Sequence, residues 1–241
     1  MPSTRFKAVL FDVGGPIDLE IEHERLVDVH IREALAELGC TPGDEEYAAA
    51  GRWAVETFAP STYAAMIWRL ADGDVDLATA VHARMSSRSV ERSETRGGVE
   101  LRPGIDRAIN RISASGLKLG LAANQPARII ADLDRHGIGR FFGHREVSGV
   151  HGYHKPDVRL FLRACEDLSV EPEECIMVGD RIDNDIVPAN LLGMATVLFR
   201  TGRHIAQQPR SWTEIPDVAV RDVDALIAAL DDLIRPRQSR D

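Results

Sequence analysis

The sequence is poor in cysteine, with Cys40, Cys165 and Cys175 as the only three in 241 residues. They are an odd number at wide spacings and form no Cys-x-x-Cys. That argues against a disulfide framework or a zinc knuckle and makes a reducing cytoplasm the expected setting. No apolar run approaches the ~18 residues that a membrane span needs. The stretch Ala8-Val9-Leu10-Phe11 near the N-terminus is too short for a signal peptide. An excess of basic charge is missing as well: 29 Lys and Arg face 38 Asp and Glu, a net charge of −9. Nucleic acid and anionic membrane both call for a basic face, so neither is an expected partner. GxxxxGK[ST], GxGxxG and HExxH do not occur, which leaves P-loop, dinucleotide-binding and zincin chemistry without support. There is no internal repeat and no low-complexity tract. What remains, 44% hydrophobic and 28% charged residues, fits a soluble globular chain of one large domain or a core with a smaller companion.

The order of patterns divides the chain. Residues 6–11 read as a buried strand that stops at Asp12-Val13-Gly14-Gly15-Pro16. From 21 to about 96 only helical periodicities follow: one from Ile21 to Leu38 with Gly39 as its stop, then 44–58, 61–71 and 75–90. The polar run 86–98 predicts a linker out of this block. Beyond it strands and helices alternate. Helices are expected at 104–115, 126–136, 157–168, 184–192 and 222–234. Strands are expected at 117–123, 145–148, 175–178, 195–199 and 217–220, and the tail from Arg235 as frayed chain. The fold class is therefore α/β, a doubly wound parallel sheet with an inserted all-α module.

In such a sheet, ligands bind outside the carboxyl ends of the strands. Asp12, Asn124-Gln125, the loop with His151, His154 and Lys155, and Gly179-Asp180 with Asp183 and Asp185 stand at those ends. Several carboxylates suit a hard cation such as Mg²⁺, and a lysine beside them suits a phosphate. Each residue also has a plainer reading. An aspartate after a strand is commonly a turn or helix cap, which is the expectation for Asp183 and an additional one for Asn124. His151 and His154 read as loop histidines, and His23 and His30 as the surface or seam of one helix. Trp53, Phe58, Tyr63 and Trp68 read as the core of the helical block, and the arginines from Arg84 to Arg96 as a solvated linker.

Three segments, FDVGGPI (11–17), YHKPDVRLF (153–161) and VGDRIDNDIVPANLLGM (178–194), resemble the first, lysine and acidic motifs of the haloacid dehalogenase superfamily, while LGLAANQP (119–126) fits the second motif less well. The order and spacings match. The resemblance implies a Rossmannoid core at 1–18 and 97–241 with a helical cap at 19–96 that governs specificity. It also implies Asp12 as nucleophile, and Mg²⁺ on the Asp12 carboxylate, the Gly14 carbonyl, Asp180 and Asp185. Lys155 neutralises charge, and the backbone of Val13, Gly14 and Gly15, with Asn124 and Lys155, holds phosphate. The implied activity is a small-molecule phosphatase acting through an aspartyl-phosphate. The implied partner is a small phosphorylated metabolite, and the implied assembly a monomer or homodimer.

Two positions depart from the family pattern. Gly14 replaces the usual acid two residues after the nucleophile, and Ala123 replaces the usual hydroxyl residue. General-acid help worth about 10²–10⁴-fold is therefore missing at residue 14. His154, His23 and Glu20 are the candidate substitutes. Alternatives that stay open are a 2-haloacid dehalogenase and a catalytically weak phosphometabolite-binding protein.

Overall fold

Alternation of apolar residues that are covered on both faces sets the centre of the molecule. Val9 and Phe11 pack on one side of the first strand, Ala8 and Leu10 on the other, and all four are completely buried. The computed structural model describes residues 5–92 and 98–235. It divides them into two compact units: 5–19 with 98–205 and 209–235, and 20–92 with 206–208.

The first unit is a six-stranded sheet. Its strands are β1 (Ala8–Phe11), β2 (Lys118–Leu121), β3 (Phe142–His144), β4 (Cys175–Gly179), β5 (Ala195–Phe199) and β6 (Val218–Val220). The spatial order is β3-β2-β1-β4-β5-β6 and every pairing is parallel. Parallel strands need crossovers, which here contain helices except between β5 and β6, where a 3-10 turn at Trp212–Glu214 is the one regular element. The helices named for the second unit are α1 (Ile21–Glu37), α2 (Asp44–Glu56), α3 (Thr62–Leu70) and α4 (Val75–Arg92). Those of the first are α5 (Ile105–Ala114), α6 (Ile129–Arg135), α7 (Ser148–His151), α8 (Val158–Leu168), α9 (Val187–Leu191) and α10 (Val223–Ile234).

Apolar faces of α5, α6 and α10 cover one side of the sheet through Ile105, Ile109, Leu133 and Leu226. Those of α8 and α9 cover the other through Leu160, Phe161, Ala164 and Ala189. Because β1 pairs with β2 on one side and β4 on the other, the strand order reverses at β1. The carboxyl ends of β1 and β4 therefore open onto the crevice where such sheets bind ligands.

The second unit has its own core, with Ile31, Leu35, Met66, Ile67 and Val81 fully buried. Trp53 and Tyr63 pack against it, but Trp68 is 45% exposed and stands against Gly73, so its assignment to the core is corrected. Ile21 is exposed too, because α1 turns Ile31, Ala34 and Leu35 inward instead.

Three expectations on secondary structure need correction. The expected strand at 145–148 lies earlier, at Phe142–His144, and residues 148–151 form α7. The linker expected from 86 starts as helix, since α4 continues to Arg92. Of that linker, 93–97 lie outside the described residues, as does the expected frayed tail from 236. The expected helix at 184–192 begins as a π-helical turn, Ile182–Ile186, before α9. No described helix is long and apolar enough to cross a membrane.

Candidate active site

Asp12 is the first residue past β1, and Asp180 the first past β4. Neighbouring parallel strands with Phe11 opposite Val178 bring these two ends side by side. The Asp12 side chain is held by its own turn: Oδ1 accepts the Val13 N–H at 2.7 Å. Its Oδ2 lies 2.8 Å from the Lys155 ammonium, which lies 2.6 Å from Asp185 Oδ1. Asp185 uses its other oxygen to accept the backbone N–H groups of Asp180, at 3.1 Å, and Arg181, at 2.9 Å. The π-helical turn thus curls a carboxylate back under the end of β4. Asp183, expected as a helix cap, lies inside the π-helical turn and not at a cap position. Its carboxylate pairs with Arg181 on the same turn, and Arg181 stands at the cap position with no side-chain cap bond.

Two glycines make this packing possible. A Cβ on Gly179 would fall 2.3 Å from Asp185 Cγ, so only a bare backbone admits that carboxylate. Gly15 has φ +79° and a Cβ there would sit 2.7 Å from Asp180 Cγ.

Lys155 is delivered by a bracket from β2. Asn124 Oδ1 accepts the Lys155 N–H at 2.7 Å and its Nδ2 donates to the Lys155 carbonyl at 3.1 Å. Asn124 is therefore a clamp on the lysine loop, and α6 starts only at Ile129, without a side-chain cap.

The group is dry. Asp12 and Asp180 are 8% exposed, Lys155 5% and Asp185 0%. Burial is the main cause that pushes the Asp12 carboxyl up to about 7, with Asp185 and Asp180 adding like-charge repulsion against the pull of Lys155. Burial and then Asp185 push Asp180 up to about 8. For Lys155 burial acts downward, but Asp12 and Asp185 outweigh it and hold the amine up at about 12.

Ligand oxygens of Asp12, Asp180 and Asp185 all lie within 4.8 Å of one another, the one such group of three among the described residues. Fully ionised, three carboxylates against one ammonium leave −3 + 1 = −2, and buried charge of that size calls either for protons, as the raised values show, or for a counter-ion. The oxygen-only donor set and the missing charge both fit a divalent hard cation such as Mg²⁺.

Sequence reasoning missed two neighbours of this group. His204 Nδ1 lies 3.8 Å from Asp180 Oδ2, and Arg102 Nε donates to the Gly15 carbonyl at 2.8 Å. Neither belongs to a motif, and the Gly15 contact spans 87 positions, so no local signal marks it. Of the candidate substitute acids, His154 is exposed one residue before Lys155, while Glu20 and His23 belong to the helical unit. Ala123 is fully buried, and its carbonyl accepts the Ser148 N–H.

A family model of haloacid dehalogenase-like hydrolases matches residues 6–193. The glyceraldehyde 3-phosphate phosphatase of Methanopyrus kandleri is 36% identical over 123 residues, 49% of this chain and 51% of that protein. The phosphoglycolate phosphatase of Psychrobacter arcticus is 32% identical over 131 residues, 52% of this chain and 54% of that one. The chain thus matches about half the length of these curated relatives. The crystal structure of a predicted phosphoglycolate phosphatase from Haemophilus somnus 129PT superposes with a TM-score of 0.67 at 18% identity, covering 96% of this chain and 99% of that one. At that identity the likeness is one of fold.

Proposed function

Because the chain belongs to the haloacid dehalogenase-like hydrolases, we propose that it is a Mg²⁺-dependent phosphatase of small phosphorylated metabolites with Asp12 as nucleophile. One observation carries the reading: Asp12, Asp180 and Asp185 converge within 4.8 Å, with the Lys155 ammonium 2.8 and 2.6 Å from two of them. Relatives named as glyceraldehyde 3-phosphate and phosphoglycolate phosphatases support a small phosphoester as substrate.

Asp12, Asp180 and Asp185, with the Gly14 carbonyl, would hold the ion. When bound, Mg²⁺ offsets the carboxylate charge and the negative charge of the transferring group. Asp12 attacks phosphorus, its Oδ–P bond forms as the ester P–O bond breaks, and the alkoxide leaves. Water then attacks the aspartyl-phosphate, which frees inorganic phosphate and restores the carboxylate. The turn that fixes Asp12 Oδ1 on the Val13 N–H aims the nucleophile, and with that N–H and the Gly15 N–H already engaged within the turn, the Gly14 N–H is the donor the loop offers to a phosphate oxygen. Lys155 stays protonated across the neutral range and neutralises charge at Asp12. Asn124 acts by holding the Lys155 peptide.

Gly14 has no side chain to give the leaving oxygen a proton, so that proton comes from solvent. Substrates with good leaving groups are therefore favoured, and p-nitrophenyl phosphate should exceed a sugar phosphate in kcat/KM by about tenfold or more. The test is a phosphoester panel with Mg²⁺ or EDTA, run on the parent and on Asp12→Asn. Mg²⁺-dependent turnover lost in the variant supports the reading. Halide release from a 2-haloacid without metal indicates dehalogenation instead, and binding of vanadate without turnover indicates a binding protein.

A further inference from the structure

The loop after Asp12 is tied to the returning chain near residue 100. Residues 17–19 and 100–102 run antiparallel: Leu19 N–H donates to the Glu100 carbonyl at 2.9 Å, Arg102 N–H to the Ile17 carbonyl at 2.8 Å, and Asp18 pairs with Leu101. The Asp18 carboxylate adds a bond from the Glu100 N–H at 2.9 Å. At the end of this pairing the Arg102 side chain turns back onto the loop. Nε donates to the Gly15 carbonyl at 2.8 Å, and Nη2 to the Thr201 hydroxyl at 2.8 Å. The guanidinium lies over the Phe199 ring, 4.7 Å from its centroid. One planar fork therefore joins the loop after β1 to the segment after β5 while resting on the last side chain of β5. Half-burial lowers the guanidinium below its ordinary value, with Asp180 and Asp18 working against that.

The carbonyl that Arg102 grips belongs to the one residue of the loop in the left-handed region, which glycine adopts without strain. Gly15 holds φ +79°, its N–H donates to the Asp18 carbonyl at 2.9 Å, and its Cα is packed against the Asp180 side chain. With both backbone groups of Gly15 engaged, the peptide planes between Val13 and Pro16 lose their freedom to rotate. We infer that Arg102 is a positioning residue for the reaction. By holding the Gly15 carbonyl it fixes the peptide that leaves Gly15, and with it the turn that presents the Gly14 N–H and seats Gly15 against Asp180. This role rests on the reading of that loop as the phosphate cradle. Lysine cannot replace it, because a single ammonium on a flexible stem does not span two acceptors on separate segments or stack on Phe199.

Arg102→Ala and Arg102→Lys separate this role from that of a plain structural staple. Three measurements are made on the full chain: kcat and KM for p-nitrophenyl phosphate with Mg²⁺, the same with added guanidinium chloride at sub-denaturing concentration, and amide exchange by mass spectrometry. Arg102→Ala is expected to lose about ten- to a hundredfold in kcat with KM within about threefold, the pattern of a misaimed site. Guanidinium should restore part of that loss in the alanine variant and nothing in the parent, and the lysine variant should stay low. Amide exchange in residues 13–18 should rise about tenfold while β4 stays protected. A parent-like kcat, or exchange raised equally throughout the sheet, overturns the inference. If the parent hydrolyses no phosphoester, the functional reading fails, and the exchange result alone decides whether Arg102 orders the loop.

Discussion

Gly15 and Gly179 lie within van der Waals reach of the carboxylates they border, and neither has room for a methyl group. Gly15→Ala would add a left-handed φ to a contact of 2.7 Å on Asp180. It is expected to cost about 1–3 kcal/mol of stability, read by thermal or urea unfolding, together with most of the turnover. Gly14 presents the opposite case, a position where a side chain is missing from the chemistry. Gly14→Asp should raise kcat on an alkyl phosphate by about tenfold or more and move an aryl phosphate little, measured as the ratio of the two kcat/KM values. Asn124 donates to and accepts from one peptide, that of Lys155. Asn124→Ala therefore frees the lysine loop and should lower kcat about tenfold, with Asp12→Asn as the fully inactive reference. At this scale the sequence was most informative for Asp12, Lys155, Asp180 and Asp185, since an aspartate after a strand is common as a cap but these four stand together at strand ends in motifs of matching order and spacing. Arg102 and His204 carried no such mark, because arginine and histidine in loops are common and their partners are remote in the chain.

Elements were legible where one periodicity dominated. The strands around Val9, Ile176 and Val197 are short, continuous and apolar, and α5 and α8 have clear apolar faces, so their placement followed from pattern alone. Phe161, fully buried on α8 against the sheet, is the anchor of that face. Phe161→Ala should cost about 3–5 kcal/mol, seen as a lower urea midpoint at constant slope. The edge strand β3 was misplaced because it has only three residues, Phe142–His144, of which one is glycine. The more strand-like run that follows ends in α7, which tertiary context imposes. The π-helical turn at Ile182–Ile186 was invisible for a related reason. Its cause is the demand of the Asp180 and Arg181 N–H groups for the Asp185 carboxylate, and no propensity scale contains that. Likewise Trp68 satisfies a helical spacing but stands at 45% exposure, because α3 buries Met66, Ile67 and Leu70 instead.

At the scale of the molecule, the buried carboxyls couple the fold to pH and to metal. Asp12 and Asp180 have folded values of about 7 and about 8 against ordinary values of 3.8. Raised carboxyls hold their protons more tightly in the folded state, so their stabilisation is complete below pH about 4 and is lost as pH rises through about 7 and about 8. A divalent cation binds the deprotonated oxygens, so Mg²⁺ should raise Tm far more at pH 8 than at pH 5; equal shifts at both would contradict the site. The amino-acid sequence by itself determined the α/β class, the helical block between the first strand and the rest, and the residue types at the strand ends. Those follow from local periodicity and from which side chains tolerate burial. The tertiary structure alone decided that β1 lies between β2 and β4, that Asp185 curls under Asp180, and that Arg102 closes on Gly15. These are contacts between segments far apart in the chain or in a turn with no local preference. Packing and the pairing of buried charge select them, and neither is encoded in any short stretch of residues.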